Sequence, residues 1–242
     1  MRIHRIYTER NLQPGQNFTL KGEEAHYLSR VLRAVAGQPV VLFNGDGSDY
    51  IAEISGFGRQ EVAFTVNSRL PVRTESPLST TLVQAISRGE RMNLSLQKAT
   101  ELGVTAVQPV FTARTEVRLG PDKLTRRMEH WRKVMISACE QSGRARLPLL
   151  HEPRDVLLWM QRDSGATRVV LVPGAERSLA AVSPGAEMEI VVGPEGGFEE
   201  AELDALQRHS VQAVNLGPRI LRTETAGPAA LAIVQALAGD LN

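Results

Sequence analysis

The strongest constraint on the fold lies in residues 79–242, where short apolar runs rich in β-branched residues alternate with stretches of helical period. TLVQAI precedes ERMNLSLQKATELG, AVQPVF precedes KLTRRMEHWRKVMISACEQ, EIVVGP precedes EEAELDALQRH, and AVNLG precedes TAGPAALAIVQALAG, with RVVLVP standing among them. Strands separated by helices cannot pair as tight hairpins. The alternation therefore predicts an α/β fold, with a mostly parallel sheet covered by helices on both faces. In the second helix Met128, Trp131, Met135 and Ala138 recur at helical spacing, which predicts a stripe buried in the core or against another subunit.

Residues 1–70 read differently. NFTL, QPVVLF, DYIAEI and EVAFTV are short strand signals, and Asn44-Gly45-Asp46-Gly47 supplies a hairpin turn, so a small β-domain of barrel type is expected. One helix, GEEAHYLSRVLRAVAG, interrupts it. Ala25, Leu28, Leu32 and Val35 form its apolar side, and Gly37 can end it. His26, Arg30 and Arg33 form a cationic stripe on the same helix, suited to solvent or to a phosphate backbone. The segment SRLPVRTESPLS at 68–79 has two prolines and no apolar period, as a linker does. The expected organisation is a first domain at 1–70, a linker at 71–78 and a second domain at 79–242.

Net charge is only +1, so the overall balance selects neither nucleic acid nor membrane as partner, and distribution has to decide. From Arg114 to Arg146 nine Lys or Arg face four Asp or Glu; from Glu187 to Asp204 there are seven acids and no Lys or Arg. The basic segment, ending in CEQSGRARLP, suits a phosphate backbone or plain solvent, and the two regions should prefer ligands of opposite sign. The single cysteine, Cys139, forms no internal disulfide, and burial as a small apolar group on a helix is its simplest role. No segment approaches the ~18 uninterrupted apolar residues of a membrane helix, and the N-terminus lacks a signal-peptide core. A soluble, cytoplasmic protein without membrane contact is expected. His4, His130, His151 and His209 have no metal-ligand spacing, so no metal site is expected.

Two glycine-containing loops follow strand signals. In EIVVGPEGGFEEAEL, Gly193-Pro194-Glu195-Gly196-Gly197 separates a strand from a helix, but Glu195, Glu199, Glu200 and Glu202 crowd the place where a phosphate would sit. The spacing matches neither the dinucleotide fingerprint nor the phosphate loop, which disfavours NAD and ATP. A nucleoside without phosphates, or one carrying positive charge, fits better; the same acids also stabilise a helix start by themselves. In AVNLGPRILRTETAGPAALAIVQALA, Gly217-Pro218 follows a strand, and Thr225 is the expected helix cap. Loops at the carboxyl ends of such strands are where open α/β sheets bind ligands. Ile220 and Leu221, flanked by Arg219, Arg222 and Glu224, suggest a greasy pocket with a few charges, which Val170 to Gly174 could close.

GPEGGF, LGPRILRTETA, QKATELGV at 97–104 and ACEQSGR at 138–144, in that order over nearly the whole chain, resemble the RsmE family of 16S ribosomal RNA uridine-N3 methyltransferases, of the SPOUT class. The resemblance implies an N-terminal PUA-like, RNA-binding β-barrel and a C-terminal SPOUT α/β domain with a trefoil knot at about 168–242. It also implies a homodimer that uses S-adenosylmethionine on 16S rRNA in the small ribosomal subunit, at the uridine conventionally numbered 1498. Carried over by motif, Leu171, Val172, Pro173, Gly193, Pro194, Glu195, Gly196, Leu216, Gly217, Ile220, Leu221 and Thr225 would surround the cofactor. TARTEVRL at 112–119 departs from the family's usual Arg-Ser-containing loop, so Arg114 is only a candidate RNA contact.

Methyl transfer from a sulfonium to uracil N3 is an in-line displacement that depends on alignment in a closed pocket. A cation near the uracil carbonyls favours the N3 anion, and a carboxylate can take the proton. Arg222 suits the first role; Glu224 suits the second, or else holds the loop. Because N3 lies on the pairing edge, the target must be unpaired or turned out. RNA placement falls to His26, Arg30, Arg33, Gln141 and Arg144, whereas Lys98 and Glu101 are expected to pair with each other. Two other readings fit the same motifs: a knotted RNA methyltransferase with another target, and a non-catalytic RNA-binding assembly factor.

Overall fold

The structure is a computed structural model, and it describes residues 3–26, 28, 34–117 and 120–241. The chain divides into two compact units, one of residues 1–74 with 139–147 and one of residues 75–138 with 148–242.

The first unit contains β1 (His4–Tyr7), β2 (Asn17–Lys21), α1 (Glu23–His26), β3 (Pro39–Phe43), β4 (Ser48–Phe57) and β5 (Glu61–Pro71). Its sheet runs β1-β3-β4-β5-β2, with β1 parallel to β3 and the other pairs antiparallel. Alternation explains the inward face: Tyr50, Ala52 and Ile54 of β4 and Val62, Phe64 and Val66 of β5 are buried, and Phe18 stacks on Phe64 at 5.3 Å between ring centres. Ala25 and Leu28 enter this core as their spacing predicts. Val35, expected on the same apolar side, is instead 62 % exposed, beyond the described helix. The strand β5 continues to Pro71, paired with Ser48, and so takes in the start of the proline-bearing stretch. Segment 139–147 closes the unit: the amide of Gly47 donates to Ala145 O, and Cys139 and Ala145 pack on Phe43.

The second unit contains β6 (Ser79–Ala85), α2 (Glu90–Glu101), β7 (Ala106–Phe111), most of α3 (Pro121–Ser142), β8 (Leu149–Leu150), β9 (Arg154–Asp155), α4 (Val156–Met160), β10 (Thr167–Leu171), β11 (Glu187–Val192), α5 (Glu200–Arg208), β12 (Gln212–Val214) and α6 (Thr223–Ala238). The strand order is β12-β10-β11-β6-β7-β8, with β9 also on β7, and every pairing is parallel. Met188 to Val192 are all buried, as a strand covered on both faces requires. Of the predicted helical stripe, Trp131, Met135 and Ala138 are buried and Met128 is half-buried. Inside the sheet, Arg168 of β10 and Glu189 of β11 are register partners and form a buried ion pair at 2.9 Å, completed by Arg168 bonds to the carbonyls of Met160 and Arg162. Among the described residues no helix is long and apolar enough to cross a membrane.

Candidate active site

The strand order creates the site. β11 lies on one side of β10 and β12 on the other, so the connections from their carboxyl ends diverge and leave a crevice. A cavity of about 610 Å³ fills it. Leu171, Val172 and Pro173 come from the end of β10, Val192 to Glu195 and Gly197 from the end of β11, and Leu216, Gly217 and Arg219 to Glu224 from the stretch between β12 and α6.

Each wall is fixed by specific bonds. The β11 turn closes when the Gly197 amide donates to Pro194 O, with Gly197 at φ +70°. A β-carbon on Gly193 would stand 2.8 Å from the Phe198 ring, so glycine lets the ring pack beneath the turn. Thr223 Oγ1 donates to Gly193 O at 2.8 Å and accepts from Gln84 Nε2 at 2.9 Å, joining α6, β11 and β6. Asn215 joins the other two walls: its side-chain amide donates to Ala175 O and Arg177 O, and its Oδ1 accepts from the Gly217 amide. Nothing local in the sequence marks Gln84, Asn215 or Thr223 for these roles, because every partner but Gly217 is distant along the chain.

The acids of the β11 loop are largely engaged. Glu202 is buried; its carboxylate accepts from the amides of Ala113 and Glu199, and with Glu199 it forms a capping box for α5. Arg114 donates to Gly196 O and lies 4.0 Å from Glu199, so it braces the loop. Glu195 accepts from Arg91 at 2.8 Å and from the Arg88 amide. Burial pushes the Glu195 carboxyl up, but hydrogen bonds from its own amide, Arg91 and the Arg88 amide outweigh it and hold the group below its ordinary value. The hydrogen bond and charge of Glu195 raise the Arg91 guanidinium above its ordinary value against desolvation, and the charges of Glu224 and Glu116 add to the rise. The cavity wall holds Arg91, Arg219 and Arg222 against Glu195 and Glu224. The expectation that this loop repels phosphate through a surplus of acid is therefore corrected: cations from other segments converge on it, and spacing alone remains as the argument against a phosphate loop.

The residues carried over for the cofactor gather around this cavity except Gly196, whose carbonyl Arg114 occupies, and Thr225, which is exposed and outside the lining. Thr225 is also not the helix cap. The helix α6 starts at Thr223 with Arg222 as N-cap, because the long-range bonds of Thr223 fix the first turn earlier than the local capping rule suggests. Glu224 faces the cavity with a buried Oε2 that has no hydrogen-bond partner among the described residues, and Arg222 beside it is exposed. Lys98 and Glu101 pair at 2.8 Å.

Of the described RNA candidates, His26, Gln141 and Arg144 lie in the first unit and Arg114 in the second. His26 and Gln141 are exposed, whereas Arg144 is only 4 % exposed and does not present its side chain to solvent in this chain, a correction to its reading as a surface contact. Its segment is drawn inward by the packing of Cys139 and Ala145, and its carbonyl accepts from Arg5. Arg30 and Arg33 lie outside the described residues. Among the described residues no group of three or more His, Cys, Asp or Glu is placed to hold a metal ion.

Residues 74–235 match the model of an RNA methyltransferase domain, and residues 20–67 that of an RNA methyltransferase PUA domain. The ribosomal RNA small subunit methyltransferase E of Buchnera aphidicola is 32 % identical over 100 % of this chain and 99 % of its own length. The chain belongs to the ribosomal RNA small subunit methyltransferase E family. Another member, from Mycobacterium bovis, is 33 % identical over 96 % of this chain and 91 % of its own. A member of the family from Neisseria gonorrhoeae, solved bound to S-adenosyl methionine, is 36 % identical with a TM-score of 0.93 over 100 % of both chains. A Legionella pneumophila protein solved with the cofactor SAM is also 36 % identical over 100 % of both chains, with a TM-score of 0.96.

Proposed function

We propose that this chain methylates N3 of one uridine of 16S ribosomal RNA with S-adenosylmethionine, and that the assembled small subunit is its substrate. The chain is an RNA methyltransferase by family. The observation that carries the finer reading is the crevice at the carboxyl ends of β10, β11 and β12. Its apolar floor of Leu171, Val192, Val214 and Leu221 suits an adenosine, and its charged groups stand at the rim.

In this reading the backbone of the three loops surrounds adenosine and aligns the sulfonium with the target base. Arg222 faces the uracil carbonyls and stabilises the N3 anion. Glu224, whose Oε2 has no partner among the described residues, accepts the N3 proton. The PUA-like unit, with His26, Arg30, Arg33 and Gln141, holds the RNA. The segment 168–242 forms a trefoil knot: from β12 at the sheet edge the chain returns through residues 215–222 to α6, which is bonded to Gly193 and Gln84. The working form is a cytoplasmic homodimer, which would cover Ile220, 83 % exposed in the single chain.

The test is transfer of a labelled methyl group from S-adenosylmethionine to small subunits and to free 16S RNA, each lacking the modification. Label in the subunit with the wild-type protein, and a loss of about a hundredfold in rate with Arg222→Ala or Glu224→Gln, supports the assignment. Unchanged rates in both variants overturn the assigned roles, and preferential labelling of free RNA overturns the substrate.

A further inference from the structure

The rim of the cavity holds a cation whose donors are only partly used. Arg91 stands in the first turn of α2, and its Nη1 donates to Glu195 Oε1; among the described residues no other acceptor takes a hydrogen bond from its guanidinium. Its side chain is 45 % exposed, so the free donors are reachable. Glu195 is arranged in the complementary way. Both bonds that it accepts from other residues fall on Oε1, leaving Oε2 without a partner from elsewhere in the described chain. The helix α2 has Gly89 as its N-cap and so no side-chain cap, and its first amides also favour a negative group at this end of the cavity.

An Arg–Glu pair with one open side on each partner is the charge inverse of an α-amino acid. A guanidinium takes a carboxylate through parallel N–H donors, and a carboxylate takes an ammonium. Without ligand the two side chains compensate each other, which keeps both charged; Glu224 adds a further negative charge that favours the Arg91 cation. The apolar floor lies beneath the strand ends, whereas this pair joins the β11 turn to the start of α2. A ligand with an apolar-faced nucleoside at one end and an amino acid at the other would span the two.

We propose that Arg91 and Glu195 form the subsite for the amino-acid end of the cofactor, with Arg91 binding the α-carboxylate and Glu195 Oε2 the α-ammonium. The assignment rests on reading the cavity as the S-adenosylmethionine site. It makes Arg91, 104 residues from its partner in sequence, a determinant of cofactor affinity.

The test is a cycle between protein and ligand. Calorimetry would compare wild type and Arg91→Ala, each with S-adenosylmethionine, its decarboxylated form and 5′-methylthioadenosine, which lacks the whole amino-acid end. Wild type should prefer S-adenosylmethionine to the decarboxylated form by about tenfold. The variant should lose that preference and keep its methylthioadenosine affinity within about twofold. A preference that survives in the variant overturns the proposal. So does an equal weakening of all three ligands, which would mean that Arg91 acts only through the loop or through RNA. Should Arg91→Ala not fold, Arg91→Gln must lose the preference in the same cycle. If wild type binds neither S-adenosylmethionine nor methylthioadenosine, it is the cofactor reading of the cavity that fails.

Discussion

Thr223 is the residue through which three elements of the site depend on one hydroxyl. Its Oγ1 donates to Gly193 O and accepts from Gln84 Nε2, and the residue is only 7 % exposed. Thr223→Val keeps the shape and removes both bonds. A net contribution of about 1 kcal/mol per bond, with a penalty for leaving the Gly193 carbonyl poorly satisfied, gives a loss of about 2–3 kcal/mol. Thr223→Ser keeps the hydroxyl and loses one methyl group, for about 1 kcal/mol. Urea unfolding followed by tryptophan fluorescence measures the difference in the right place, because Trp131 and Trp159 both belong to the second unit. The β11 turn also loses an anchor in the valine variant, so affinity for S-adenosylmethionine should fall with stability. If valine costs no more than serine, the hydroxyl does not tie α6 to β11 in solution and the reasoning is wrong.

Gly193→Ala should cost about 1–3 kcal/mol, since the Phe198 ring must leave its packed position; thermal melting and cofactor titration check both consequences. Glu202→Ala strips two backbone amides of their acceptor and should lose about 2 kcal/mol in urea unfolding, far more than Glu200→Ala at an exposed position of the same helix. His151 lies below its ordinary value of 6.5, first through burial and then through the charges of Arg162 and Arg154. The folded state therefore binds fewer protons than the unfolded chain just below that pH. Stability should be full above pH 6.5 and fall as pH drops toward the depressed folded value; His151→Gln should flatten that slope in a pH series of urea melts. Glu195 works in the same direction at lower pH: its contribution is present above 4.5 and is lost as the pH falls through its lowered folded value, a dependence that Glu195→Gln should remove.

The parts of the fold that were legible in the sequence are those fixed by period. The runs TLVQAI and EIVV became central parallel strands because both faces are covered, and the two loops after β11 and β12 fell at one crevice because parallel strands end together. The strand β1 carried no such signal. Its four residues, HRIY, are half charged and aromatic, and they are held by pairing with β3, which lies over thirty positions away. The electrostatics were the least legible part. The surplus of acid between Glu187 and Asp204 is real along the chain, but Glu189 is paired with Arg168, Glu195 with Arg91 and Glu202 with backbone amides. Counting charge along a segment could not find partners that the fold brings from β10, α2 and the loop after β7. The start of α6 shows the same limit, since a local capping rule selects Thr225 while two long-range bonds select Thr223.

The proposed function stands on the transfer of a single methyl group from S-adenosylmethionine to uracil N3. Nucleosides released from small subunits after incubation with the protein and labelled S-adenosylmethionine, resolved by mass spectrometry against authentic standards, test it most directly. Labelled N3-methyluridine is the expected product. Label on a ribose, on another base or on another atom of uridine would contradict it, and a protein that binds the donor yet labels no nucleoside in subunits or free RNA would leave RNA binding, without chemistry, as its role.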